Sequence, residues 1–340
     1  MDTAELDFRL PNHLISFVPG RLPGGRRDAV RMMVVDRSNS TIEHGRFHDL
    51  EALLRAGDVL VVNDSLVLQD ELAGRGPGGR PMTLILCGHA VDGWHVLVRP
   101  ARRARRGAVV DIGGGAMRAV LLSPSLDDLW LARFEHDGDF VPLLERFGRR
   151  SAKQHRNMKD KSERFRSVYG TKPGSLEIPS AGLHFTTELL DRLRAKGVDV
   201  AAITLHIGLT ELSQYRNIKT KRIEEHEVPA EWYEVTAAAS RAILAARRRG
   251  GRVVAVGTTV VRTLEATKAR PGSGWTDLYI HPGYRFKIVD AMLTNLHQPR
   301  SSHLAMVAAF AGKELTLAAY RELVRRRYRF DIFGDSMLIT

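Results

Sequence analysis

From Thr187 onward the chain alternates between short aliphatic runs and longer stretches with helical spacing, and that rhythm admits few folds. TTELLDRLRAKG is an amphipathic helix ended by Gly197, and VDVAAITLHIG is a strand. AAASRAILAARRRGG reads as a helix with Gly250 past its end, RVVAVG as a strand, and VVRTLEATKA as the next helix. FKIVDAMLTN reads as another strand, followed by a loop and two helices, HLAMVAAFAG and ELTLAAYRELVRRRY. Parallel strands need a crossover connection, usually a helix. The alternation therefore predicts an α/β domain with a mostly parallel sheet.

Two more buried-strand runs, MMVVD at 32–36 and DVLVVND at 58–64, stand far upstream. Between about 66 and 145 the apolar runs are short and broken by glycine, as in MTLILCG, WHVLVRP and AVVDIGGGAMRAVLL. Such spacing predicts a small antiparallel barrel or sandwich. The expected architecture is a split α/β domain, residues 1–64 and 150–340, with an inserted small antiparallel β-barrel domain, residues 65–149. Residues 209–222 are a candidate to pack on the barrel, and the charged, aperiodic stretch 149–166 reads as a loop.

Composition narrows the setting. No run reaches the ~18 apolar residues of a membrane helix, and MDTAELDFRL lacks the apolar core of a secretory signal. Cys87 is the single cysteine, which rules out an intrachain disulfide and a cysteine-based zinc site. A cytoplasmic protein without a membrane partner is expected. Fifty-one Lys and Arg against 39 Asp and Glu leave a formal charge of +12, which points to a polyanionic partner or to charge spread over solvated faces. The local clusters, such as Arg102, Arg103, Arg105 and Arg106, are not interleaved with aromatic residues as in a single-strand stacking platform.

In an open α/β sheet, ligands bind beyond the carboxyl ends of the strands. LVVND is followed by Ser65, ITLHIG by LTELSQYR, and VVAVG by Thr258 and Thr259, with Arg262 and Glu265 one turn later. DAMLT is followed by Asn295, His297 and QPRSSH. Gly257-Thr258-Thr259 suits either an ordinary helix cap or a close approach of an anion to free helix amides. His184, His206, His226 and His297 lack the spacing of a metal site, so no metal is expected. These residues alone imply a basic α/β enzyme with a polar site built from several strand ends.

The strings DFRLP, GDVLVVND, PSAGLHFT, KGVDVAAITLHIG, IEEHEV, VAVGTTVVRTLEA, HPGYRFKIVDAMLTNLHQPRSS and YRFDIFGDSMLI occur in this order. Together they resemble the S-adenosylmethionine:tRNA ribosyltransferase-isomerase family of queuosine biosynthesis. The resemblance implies that S-adenosylmethionine is a co-substrate donating ribose to the aminomethyl group of a 7-deazaguanine base in tRNA. The ribosyl unit is isomerised, and adenine and methionine leave. The sulfonium acidifies the ribose C5′ protons, so such a site needs a general base. From matching positions the resemblance implies catalytic roles for His184, His297, Arg262 and Glu265. It implies donor binding by Ser180, Gly182, His206, Gly208, Gly257, Thr258, Thr259 and Asn295, with His226 a second choice. Arg262 or the helix start at Thr258 and Thr259 is expected to hold a carboxylate, and His184 or His297 to handle a proton.

Three segments depart from the family pattern. Ser65-Leu66-Val67 stands where Thr-Arg-Val is usual, Leu209–Tyr215 replaces a Gly- and Pro-containing string, and Ser151–His155 lacks the expected prolines. Ser180 stands where Thr is usual. The departures raise a second reading, a paralogue that binds S-adenosylmethionine but uses a small-molecule acceptor or another reaction at the sulfonium.

Overall fold

All five residues of Val59–Asn63 are buried, as three valines and a leucine at the centre of a sheet require. The structure is a computed structural model and describes residues 1–17, 25–151 and 165–340. Most of the stretch read as a loop, 152–164, lies outside the described residues, and with it most of the segment Ser151–His155. In chain order, β1 (Arg31–Asp36), β2 (Thr41–Arg46) and a short helix α1 (Leu50–Leu53) precede β3 (Val59–Asn63). Then come β4 (Ser65–Val67), β5 (Glu71–Arg75), β6 (Pro81–Ala90), β7 (Gly93–Arg99), β8 (Val109–Ile112), β9 (Met117–Pro124) and β10 (Leu129–His136). α2 (Phe140–Phe147), β11 (Gly148–Arg149), β12 (Lys172–Ser175), α3 (Thr187–Ala195), β13 (Asp199–Leu205), α4 (Ser213–Arg216), β14 (Glu231–Val235) and α5 (Ala237–Arg248) follow. The chain ends with β15 (Val253–Val256), α6 (Thr258–Thr267), β16 (Gly272–Thr276), β17 (Ala291–Asn295), α7 (Ser302–Ala311), α8 (Lys313–Arg325) and β18 (Ser336–Ile339).

The larger sheet has the order β16-β14-β13-β3-β15-β17-β18-β1-β2. Its centre, β13, β3, β15 and β17, is parallel, as the strand–helix alternation demands. Helix α3 covers one face through Leu189, Leu190 and Leu193. α5, α6 and α7 cover the other through Ile243, Val260, Leu264 and Leu304. Both faces of the centre are thus buried, which explains its continuous aliphatic runs. The last strand, β18, lies antiparallel to β17 and parallel to β1, so the two ends of the chain complete one sheet.

Two features of this sheet differ from the periodicity. FKIVDAMLTN is a strand only over Ala291–Asn295. The amides of Lys287, Ile288 and Val289 instead donate to the Glu265 carboxylate, at 2.9 Å each. β2 and β16 are largely exposed edge strands without an apolar run, so hydrophobic patterning does not reveal them.

The second sheet is antiparallel, in the order β11-β5-β6-β7-β10-β9-β8, and β8 pairs back onto β5 at Arg75 and Asp111. That pairing closes a six-stranded barrel around Leu72, Leu84, Val96, Val110, Met117 and Leu121. The fold is the expected one, α/β with an antiparallel β-barrel. The barrel meets the large sheet where Leu209 and Leu212 pack on Cys87, Leu97 and Leu129. A Cβ on Gly88 would lie 2.4 Å from Leu209 Cγ, and one on Gly208 would lie 3.0 Å from the Cys87 carbonyl oxygen, so both glycines permit this approach.

Candidate active site

The strands β15 and β17 end side by side, and the turns after them form one wall of a cleft. Gly257 joins β15 to α6 with φ +88°, a conformation that favours glycine. Its amide donates to the Leu293 carbonyl at 2.7 Å, which ties the turn to β17. No side chain caps the start of α6, so its first amides have no side-chain acceptor. Asn63, at the end of β3, donates to the Leu205 carbonyl at 3.0 Å and to Thr259 Oγ1 at 3.3 Å, fixing three strand ends together.

Six of the twelve expected residues line this cleft: Ser180, Gly257, Thr258, Thr259, Asn295 and His297. Glu211, Arg216, His303 and Asp331 join them from segments not singled out as site residues. Glu211 and Arg216 belong to LTELSQYR and His303 to QPRSSH, both at strand ends, so the strand-end rule carries a signal for all three. Asp331 has no such signal.

These four side chains form a polar cluster. His303 Nε2 lies 3.1 Å from Glu211, and Arg216 lies 2.6 Å from Asp331 and 3.9 Å from Glu211. Burial alone would raise the Glu211 carboxyl, but His303 and Arg216 outweigh it and hold it down to about 2. The His297 ring stacks on His303 with centroids 5.1 Å apart, and its Nε2 lies 2.9 Å from Thr294 Oγ1. Burial, then the neighbouring His303 and Arg216, push the His297 imidazole well below its ordinary value. The cleft therefore pairs an ionised carboxylate with a neutral imidazole at neutral pH.

The structure does not bring the other expected residues to the cleft wall. His184 is buried behind it, with Nε2 3.1 Å from Asn295 Oδ1, and burial lowers its pKa to about 4. Asn295 in turn donates to the Asp331 and Ile332 carbonyls at 3.2 and 3.0 Å. His184 thus contacts a cleft residue from behind the wall. Gly182 is required by packing, since a Cβ there would lie 2.1 Å from the Tyr169 hydroxyl. Glu265 is fully engaged in tethering residues 284–289. The Gly208 amide donates to Glu231 at 2.7 Å at the barrel contact.

His206 lies at the same junction, between Trp232 (5.0 Å) and His89 (5.3 Å), with Nδ1 2.7 Å from Ser65 Oγ. Burial, then His89 and Lys172, lower it to about 3. His226 contacts the Tyr215 carbonyl through Nε2 at 2.8 Å. Arg262 lies one turn into α6 and lines an adjoining recess that shares Glu211, Thr258, Thr259 and His303 with the cleft. Among the described residues, no group of three or more His, Cys, Asp or Glu side chains is arranged to hold a metal ion. No helix among them is long and apolar enough to cross a membrane.

A sequence model described as queuosine biosynthesis protein matches residues 3–339. A protein of Symbiobacterium thermophilum named S-adenosylmethionine:tRNA ribosyltransferase-isomerase is 43% identical over 347 residues, covering 100% of both chains. One of the same name from Moorella thermoacetica is 43% identical over 351 residues, again covering 100% of both. A crystal structure of S-adenosylmethionine tRNA ribosyltransferase from Thermotoga maritima is 36% identical. It covers 99% of this chain and 100% of its own, with a TM-score of 0.57.

Proposed function

The chain belongs to the queuosine biosynthesis protein family, and on that premise we propose that it is a transferase-isomerase acting on S-adenosylmethionine and tRNA. It moves the ribosyl moiety of S-adenosylmethionine to the aminomethyl group of a 7-deazaguanine base in tRNA and isomerises it, releasing adenine and methionine. The observation that carries this reading is the end-to-end match to relatives bearing that name. The paralogue reading, with a small-molecule acceptor, finds no support in those relatives. A tRNA acceptor is consistent with the charge of +12, and a cytoplasmic location is part of the same reading.

The cleft suits the chemistry. The donor carries a sulfonium whose C5′ protons are acidified, and removing one needs a base with a free lone pair at neutral pH. His297 is such a base, because burial keeps its ring neutral. Glu211 places an ionised carboxylate beside it, where a sulfonium is stabilised. Ser180 and the uncapped start of α6 offer donors to the methionine carboxylate. His184 acts through Asn295 as a positioning residue. The domain division that accompanies this reading is residues 65–149 as the inserted barrel and 1–64 with 150–340 as the catalytic unit.

Incubation with S-adenosylmethionine, with and without tRNA bearing the aminomethyl-deazaguanine, followed by mass spectrometry of adenine and methionine, tests the proposal. Release that depends on that tRNA is expected. Equal release without tRNA, or none with it, overturns it.

A further inference from the structure

Two residues that line the recess beside the cleft, Arg262 and Tyr279, each carry a buried polar atom without a partner, Nε and Oη. Arg262 is only 7% exposed. Its terminal nitrogens are already committed: Nη1 donates to Glu231 at 2.9 Å, and Nη2 donates to the Pro229 and Thr276 carbonyls at 2.9 and 2.6 Å. The guanidinium is therefore fixed in place and its charge is met by Glu231, while one N–H remains unused. Buried donors are almost always satisfied, so two unsatisfied ones in residues lining a single recess point to a ligand that supplies acceptors.

The remaining walls define what that ligand is. Val228, Leu278, Ile280 and Met306 make the recess largely apolar, and the Tyr279 ring is held edge-on against His226 with centroids 5.2 Å apart. An anion gains little here, because Arg262 already has its counter-charge. A cation finds its carboxylate partner at Glu211, on the side shared with the cleft. A flat, neutral heterocycle with ring-nitrogen acceptors and apolar faces fits both the walls and the two donors.

Resting on the reading of S-adenosylmethionine as donor, we infer that this recess is the subsite for its adenine. The ribose then lies at the junction, beside the shared residues Glu211, His303, Thr258 and Thr259, and the methionine end extends into the cleft. When the C1′–N9 bond breaks, its electron pair leaves on the base. The proton removed from C5′ completes neutral adenine. Arg262 Nε–H is placed to stabilise the transient negative charge, so the subsite also favours departure.

The test measures adenine, methionine and S-adenosylmethionine binding calorimetrically, and the KM for S-adenosylmethionine, in the intact enzyme and in Tyr279→Phe and Val228→Phe. Tyr279→Phe removes one donor and keeps the ring; Val228→Phe fills the recess from its half-exposed rim. Adenine is expected to bind the unaltered enzyme and to compete with S-adenosylmethionine. Tyr279→Phe should weaken adenine about tenfold, the effect of one lost buried hydrogen bond, and leave methionine unchanged. Val228→Phe should abolish adenine binding. If S-adenosylmethionine binds normally but neither variant alters adenine affinity or KM, or if methionine affinity falls instead, the inference is overturned and the donor reading stands. If adenine behaves as expected but S-adenosylmethionine does not bind the unaltered enzyme, the subsite stands as a nucleobase site and the donor reading falls.

Discussion

Replacing Glu231 with Gln tests whether an ion pair holds the base of the site together. Glu231 is 4% exposed, and its carboxylate accepts hydrogen bonds from two residues of the barrel junction and from Arg262. Its Oε1 accepts from the Gly208 amide at 2.7 Å, from Thr210 Oγ1 at 2.7 Å and from the Thr210 amide at 3.4 Å; Oε2 accepts from Arg262 at 2.9 Å. A carboxylate has acceptor sites for all four, whereas glutamine offers one oxygen and an NH2 group. With the oxygen toward Gly208, the NH2 faces Arg262 and leaves a buried cation without its partner, at a cost of about 3–5 kcal/mol. With the amide flipped, Gly208 and Thr210 lose their acceptor, at about 1–3 kcal/mol for each group left unsatisfied.

Either way Glu231→Gln should lower stability by at least ~3 kcal/mol. Equilibrium urea unfolding, followed by fluorescence and circular dichroism together, measures it. Glu231→Leu combined with Arg262→Met removes both charges and should recover part of the loss. Burial leaves the Glu231 carboxyl above its ordinary value even though Arg262, Thr210 and Gly208 pull it down. A loss below ~1 kcal/mol would mean that burial wins and the carboxyl is already neutral, because glutamine would then be nearly isosteric with it, and the ion-pair argument would be refuted.

Three further outcomes are expected. Burial depresses His184 to about 4 and His206 to about 3, so the unfolded chain binds protons first. The stability they contribute is complete above pH ~6.5 and drains away as pH falls toward those values; His206→Asn should flatten the melting-temperature profile across that window, and an unchanged slope would contradict it. Gly174→Ala places a Cβ 2.3–2.5 Å from the His206 ring, which Trp232 and His89 hold in place. Overpacking of this kind costs about 1–3 kcal/mol, read by calorimetry. Glu211→Gln should lower kcat/KM for S-adenosylmethionine by about 10²-fold or more with the fold intact by circular dichroism; wild-type kinetics would remove Glu211 from the chemistry.

Much of this molecule is legible in one dimension. The alternation after Thr187 determines a parallel sheet centre, because each crossover needs a helix of that length. The glycine-broken runs between 66 and 145 determine an antiparallel barrel. The strand-end rule locates Gly257, Thr258, Thr259, Asn295 and His297, because parallel strands deliver their carboxyl ends to one edge. The sequence alone does not say which polar side chain at those ends faces a ligand and which supports a neighbour. Glu265 and Arg262 lie one helical turn apart, yet Glu265 is consumed by three backbone amides while Arg262 keeps an unpaired N–H beside a recess. Asp331 reaches Arg216 across 115 positions, and His184 meets Asn295 across 111. Such partnerships exist only once β18 has closed the sheet beside β17, because the desolvation that makes His297 neutral and the contacts that keep Glu211 ionised are properties of the assembled cleft.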